Sequence, residues 1–178
     1  MITIIRTGLL ALFVALTSSA ALADGAVLTV SGQIEKTNRG PSDSFSDALF
    51  KALDVQFAKA YEFSLADLVA LPQKTLKTAY PNWPGEAVVV GPTLSDVLSH
   101  VGATGKTVGV RAVDGYAPEF SLSDIDANNF ILAIKANGKT LGIGGRGPVW
   151  LVFPPGSYNG QSENDSGLTW AAFHIEVK

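Results

Sequence analysis

The sequence predicts an α+β fold of mixed sheets with short helices. Segments rich in β-branched residues outnumber helical ones, the helical stretches are short and carry their own capping residues, and the two kinds follow no regular alternation. That irregular order argues against a doubly wound α/β chain, which needs strands and helices in strict succession.

The elements follow in order. Val27 to Ile34 mixes β-branched residues with Thr and Ser and predicts a first strand; residues 37–44, TNRGPSDS, form a loop by their Gly, Pro and Ser content. Leu49, Leu53, Phe57 and Tyr61 recur every four residues and predict an amphipathic helix, although the alternation around Val55 and Phe57 also suits a strand. Ser64 precedes Leu65-Ala66-Asp67-Leu68 and can cap a short helix that Pro72 stops. Thr93 stands in the same relation to Leu94-Ser95-Asp96-Val97-Leu98, which Gly102 ends. Val108 to Val113 and Phe130 to Ala136 predict buried strands, and Asn137-Gly138 turns the latter into Lys139-Thr140-Leu141 with the strongest two-residue hairpin signal. Val149 to Phe153 and Phe173 to Val177 complete the strands.

Composition narrows the function classes. The chain has 178 residues. Arg6, the apolar run Gly8 to Leu16 and the small-x-small triplet Ala21-Leu22-Ala23 predict a signal peptide over residues 1–23, leaving one domain over 24–178 in the periplasm or secreted. No later stretch is long and apolar enough to span a bilayer, so no membrane insertion of the mature chain is expected. A formal charge of −3 without any basic cluster excludes nucleic acid as an expected partner. The sequence contains no cysteine, hence no disulfide and no thiolate for soft metals or covalent catalysis. His100 and His174 stand far apart without carboxylate neighbours at ligand spacing, and residues 157–167, SYNGQSENDSG, lack calcium-loop spacing and predict a surface loop. There is no G-x-S-x-G elbow, no H-E-x-x-H, and the Gly142 to Gly147 spacing is wrong for a dinucleotide loop.

A series of segments carries a family resemblance. FSLADLVALP at 63–72 and TLKTAYPNW at 75–83 precede GPTLSDVLSHVGATG at 91–105 and AVDGYAPEFSLSDID at 112–126; FILAIKANGKTL at 130–141, GPVWLVFP at 147–154 and WAAFHIEV at 170–177 follow. Together they resemble the molybdopterin-binding domain of the sulfite oxidase family, and more closely its small exported stand-alone members described as pterin-binding. The resemblance implies a sulfite-oxidase-like fold. In that family's enzymes, molybdenum held by a pterin dithiolene and a protein cysteine transfers an oxygen atom and two electrons.

This chain departs from that pattern in three places. Where the resemblance puts the metal-binding cysteine, Leu76 to Tyr80 offers Lys77, Thr78 and Tyr80, none of them a soft thiolate. Trp150 stands where the family usually carries a phosphate-holding arginine, and Thr169 where lysine often precedes Trp170; Arg146, within GGRGP, can restore one phosphate contact. The lone Arg6 suits threading of an unfolded chain rather than twin-arginine export of a cofactor-loaded protein. No cofactor is therefore expected, molybdopterin being the one the resemblance allows.

The resemblance places Thr78, Tyr80, Trp83, Asp114, Tyr116, Arg146, Trp150 and Tyr158 around the remnant cofactor cleft. Each also has a plain structural reading. Tyr80 and Trp83 can cover a loop, Asp114-Gly115 is a turn dipeptide, Arg146 is equally a solvated loop arginine, and Trp150 lies among core-forming strand residues. The leading expectation is a non-catalytic binding or accessory protein for a small anionic or heterocyclic ligand, or for a protein partner. Two alternatives stand beside it: a molybdopterin-dependent oxidoreductase with Thr78 or Tyr80 nearest the metal, and the periplasmic input of a signalling system.

Overall fold

The computed structural model describes residues 25–157 and 164–178, so the expected signal peptide and Tyr158 lie outside the described residues. Among the described residues, eleven strands and four short helices follow one another as β1 (Ala26–Gly32), α1 (Ala48–Ala52), β2 (Ala60–Ser64), α2 (Leu65–Ala70), β3 (Lys74–Thr78), β4 (Ala87–Gly91), α3 (Leu94–Val101), β5 (Thr107–Ala112), β6 (Glu119–Ser121), α4 (Leu122–Ala127), β7 (Ile131–Ala133), β8 (Lys135–Ala136), β9 (Lys139–Thr140), β10 (Trp150–Val152) and β11 (Ala172–Val177). They form a five-stranded sheet in the order β2-β1-β11-β5-β6, a four-stranded sheet β3-β4-β8-β9 and a pair β10-β7. The β1–β11 pairing is parallel, joining the first and last strands, and every other pairing is antiparallel.

β1 explains itself by alternation. Leu28 and Val30 enter the continuous hydrophobic core, together with Val108, Val110, Ile175 and Val177 of the neighbouring strands and Leu68, Leu94, Val97, Leu98 and Val101 of α2 and α3. Thr29 and Ser31 face the opposite side, yet are buried too. That side is roofed by Phe50 of α1 and by Phe57, whose rings lie 5.3 Å apart and both contact His174 of β11. Arg39 fastens this roof, with its guanidinium 4.9 Å from the Phe57 ring centroid and paired to Asp47 and Glu62.

The predicted helix over Leu49 to Tyr61 is corrected here. Only α1 forms; Asp54 takes a left-handed φ of 52°, Phe57 turns its ring onto the sheet, and Tyr61 belongs to β2. Sheet pairing to β1 and the aromatic roof bury more apolar surface than a free amphipathic helix would, so tertiary packing overrides the four-residue period.

The capping expectations agree with the structure. The Ser64 hydroxyl accepts from Asp67 N at 3.1 Å while the Asp67 carboxylate accepts from Ser64 N at 2.8 Å, completing a capping box. Thr93 accepts from Asp96 N at 2.9 Å, and Gly102 closes α3 at φ 65°. Asn137 and Gly138 turn β8 into β9, both with positive φ. The predicted strand over Phe130 to Ala136 divides into β7 and β8, which leave for different sheets. Ser64→Ala should cost about 1 kcal/mol of stability, seen as a lower midpoint of urea unfolding with an unchanged slope; no change in midpoint would mean the cap carries no load.

Candidate functional site

The β3–β4 hairpin, the loop ahead of β10 and β10 itself bring three of the predicted residues together. β3 pairs with β4 through Thr78 and Ala87, so the intervening loop projects Tyr80 and Trp83 toward β10. β10 pairs with β7 in the register Trp150–Ala133, which fixes Trp150 as a buried residue with 2% exposure. The rings of Trp83 and Trp150 lie 5.4 Å apart, and Tyr80 follows 5.1 Å behind Trp83.

Arg146 lies over this aromatic wall. Its guanidinium carbon is 4.5 Å from the Trp150 centroid and 5.6 Å from that of Trp83, within cation–π range. The three side chains line a cavity of about 360 Å³ whose other walls come from Pro84 to Ala87 and from Ala136 and Asn137 of the β8–β9 hairpin. Glu86 on the rim pairs with Lys77 at 3.4 Å. The Trp150 indole N–H is buried with no hydrogen-bond partner among the described residues.

Asp165, which no local spacing singles out, holds the wall in place. The Asp165 carboxylate accepts from Trp83 Nε1 at 3.1 Å and from Asn82 Nδ2 at 3.0 Å. These contacts, the Trp83 indole N–H first, hold the Asp165 carboxyl below the usual carboxylate range, with the charge of Arg146 adding in the same direction against the cost of burial. Asp165 lies in the segment predicted as a flexible surface loop. Its role depends on a contact across 82 residues, and no local signal announces it.

The remaining predicted residues lie elsewhere. Thr78 is buried, at 6% exposure, with its hydroxyl unpartnered among the described residues, and it does not line the cavity. Tyr80 donates its phenol hydrogen to the Phe153 carbonyl at 2.7 Å and backs the wall rather than facing the cavity. Asp114 and Tyr116 border a separate recess of about 320 Å³ with Gly167, Leu168 and Trp170. The Asp114 carboxylate accepts from Tyr116 N at 3.0 Å, a turn role, and the Tyr116 hydroxyl accepts from Gly167 N at 3.1 Å. His100 lies in the last turn of α3, and its Nε2 is 3.1 Å from the Tyr61 hydroxyl.

No family model matches this sequence, and no curated protein is similar to it at a significant level. Among solved structures, the fold is similar to that in the crystal structure of the sulfane dehydrogenase SoxCD from Paracoccus pantotrophus, with a TM-score of 0.57 and 18% sequence identity over 84% of this chain. The likeness at that identity is one of fold, and this chain spans 37% of that chain's length.

Proposed function

We propose that the chain is an exported, non-catalytic binding protein of sulfite-oxidase-like fold, whose cleft between the 79–86 loop and β10 holds a small planar ligand bearing an anionic group. The observation that carries this reading is the guanidinium of Arg146 laid over two indoles at the mouth of a cavity of about 360 Å³. A flat heterocycle gains stacking area on the partly exposed Trp83 ring, and Arg146 presents a planar set of donors to a carboxylate or phosphate. Asn137 offers an amide on the facing rim. Export rests on Arg6, the apolar run after it and the Ala21-Leu22-Ala23 triplet.

The donor set does not suit a thiolate-held molybdenum. The chain has no cysteine, Thr78 offers only a neutral hydroxyl, and the Tyr80 phenol is spent on a backbone carbonyl. No group of three His, Cys, Asp or Glu side chains converges at metal-binding distance among the described residues.

Binding is tested by quenching of tryptophan fluorescence with carboxylated and phosphorylated pterins and purines. The native protein should saturate, and Arg146→Ala should weaken affinity about tenfold, in line with the loss of one desolvated cation–π and ionic contact. Equal affinity in the variant would place the ligand elsewhere. Saturation by none of them, with stable capture of a protein partner that Arg146→Ala abolishes, would make the cleft a docking surface. Stoichiometric molybdenum in the natively exported protein would overturn the non-catalytic reading.

A further inference from the structure

The large apolar side chains left in water gather mainly on one face. Leu49, Val113, Ile143 and Trp170, four of the seven such side chains among the described residues, line a single recess of about 410 Å³ beside the start of β1. None of the side chains lining it is charged. Apolar residues scattered over a surface are ordinary, whereas a concave cluster of them marks a contact surface. Ile143, at 91% exposure on the glycine-rich 142–147 loop, contributes nothing to the core.

Trp170 divides this recess from a second one. It also lines the recess of about 320 Å³ that holds Asp114 and Tyr116, and Tyr116 is a fifth exposed large side chain. Trp170 leaves 46% of its surface in water. Ala171, directly after it, takes a left-handed φ of 51°, unfavourable for a residue with a Cβ. That turn is fixed by bonds from Ala171 N to Arg146 O at 2.9 Å and from Val113 N to Ala171 O at 3.2 Å.

The second recess carries uncompensated negative charge. Asp114 and Asp165 line it, no basic residue does, and neither carboxylate forms an ion pair among the described residues. Their hydrogen-bond donors are neutral: Tyr116 N for Asp114, the Trp83 indole and the Asn82 amide for Asp165. Arg146 acts on Asp165 from the cleft without lining this recess. An apolar socket and an acidic socket thus share one tryptophan wall.

We propose that this face docks a segment of a partner protein that carries a large apolar side chain and, close to it, a lysine or arginine. The apolar side chain fills the recess beside Trp170 as an anchor. The cation is taken by the recess of Asp114 and Asp165, whose aromatic walls suit both its stem and its charge. Residues i and i+2 of an extended segment point the same way about 7 Å apart, so both anchors fit on one strand of the partner. The two carboxylates disfavour a bilayer as occupant, since they repel anionic lipids. The docking face does not rest on the ligand assigned to the cleft, although Asp165 serves both.

The probe is the peptide acetyl-Gly-Phe-Gly-Arg-Gly-amide, titrated into the whole protein while the Trp170 indole N–H and the Val113 amide are followed by NMR. Both resonances should shift and saturate together. Replacing the peptide's arginine by glutamate, or its phenylalanine by serine, should weaken binding at least about fivefold. Ile143→Ser alters a side chain the core does not use and should weaken the phenylalanine peptide by a similar factor, with an unchanged melting temperature. Asp114→Asn keeps an acceptor for Tyr116 N while removing one charge, and should narrow the preference for arginine over glutamate. Shifts that fail to saturate, an affinity indifferent to both peptide replacements, or a preference for arginine unaltered in Asp114→Asn overturns the proposal. So does co-sedimentation with phosphatidylcholine vesicles in place of peptide binding, which would make the face a membrane contact. Concentration-dependent self-association in place of peptide binding would also overturn it, assigning the face to a second copy of the chain.

Discussion

Gly91→Ala should destabilise the protein by about 3 kcal/mol or more, the largest effect expected of any single added methyl group at the cleft-bearing sheets. Gly91 ends β4, and a Cβ there would sit 2.0 Å from the Leu132 carbonyl oxygen and 2.7 Å from its carbon. The obstacle is backbone, so no side-chain rotation relieves it. β7 is tied to this stretch by the bonds Leu132 N to Pro92 O and Ile134 N to Val90 O, each 2.9 Å, and it pairs on its other side with β10. Pushing β7 away therefore moves Trp150 and spoils the aromatic wall as well as the packing. Urea unfolding followed by tryptophan fluorescence should show a much lower midpoint together with altered native emission. An unchanged midpoint would mean that the two strands do not meet at the close range described.

Acid should remove about 3 kcal/mol of stability through His174 alone. Burial, followed by the charge of Arg111, pushes its folded pKa down to about 4 from the ordinary 6.5. The fold binds the neutral imidazole, and the unfolded chain binds the proton more readily. The contribution is complete above pH 6.5 and is lost progressively as pH falls toward 4. Asp43, Asp47, Asp67 and Asp165, whose carboxyls are all held low by hydrogen bonds, add their own losses only below that window, as pH falls through and beneath the ordinary carboxylate range. The comparison that isolates His174 is the difference in unfolding free energy between pH 7 and pH 4 for the native protein and for His174→Gln. The native protein should lose about 3 kcal/mol more than the variant; equal losses would show that the imidazole is reached by water.

Capping and turn residues act locally and are legible as such, whereas contacts between distant segments leave no local mark. Ser64, Thr93 and the Asn137-Gly138 pair act through neighbours within a few residues, and all three perform as their local chemistry dictates. Ser121 follows the same pattern, accepting from Asp124 N at 3.1 Å to start α4, and the signal was present in SLSD although the helix was not anticipated. The spacing of Leu49, Leu53, Phe57 and Tyr61 misled because a four-residue recurrence says nothing of which surface each ring finds. Two of those positions serve a roof and a strand instead. Trp83, Arg146 and Trp150 were legible as a group through the family pattern, whereas Asp114 and Tyr116, adjacent to them in that pattern, serve a turn and a separate recess. Asp165 was illegible, since its partner lies on another loop altogether.

The parallel pairing of β1 with β11 sets a timetable for the chain. The strand between β1 and β5 is contributed by residues 172–177, so both neighbours keep open edges until those residues arrive. A partly emerged polypeptide has nothing to close its largest sheet with, and sequence-distant pairing of this kind is slow to form. Assembly of that sheet thus waits on residues 172–177, and until they arrive the edges of β1 and β5 stay open to pairing with other chains.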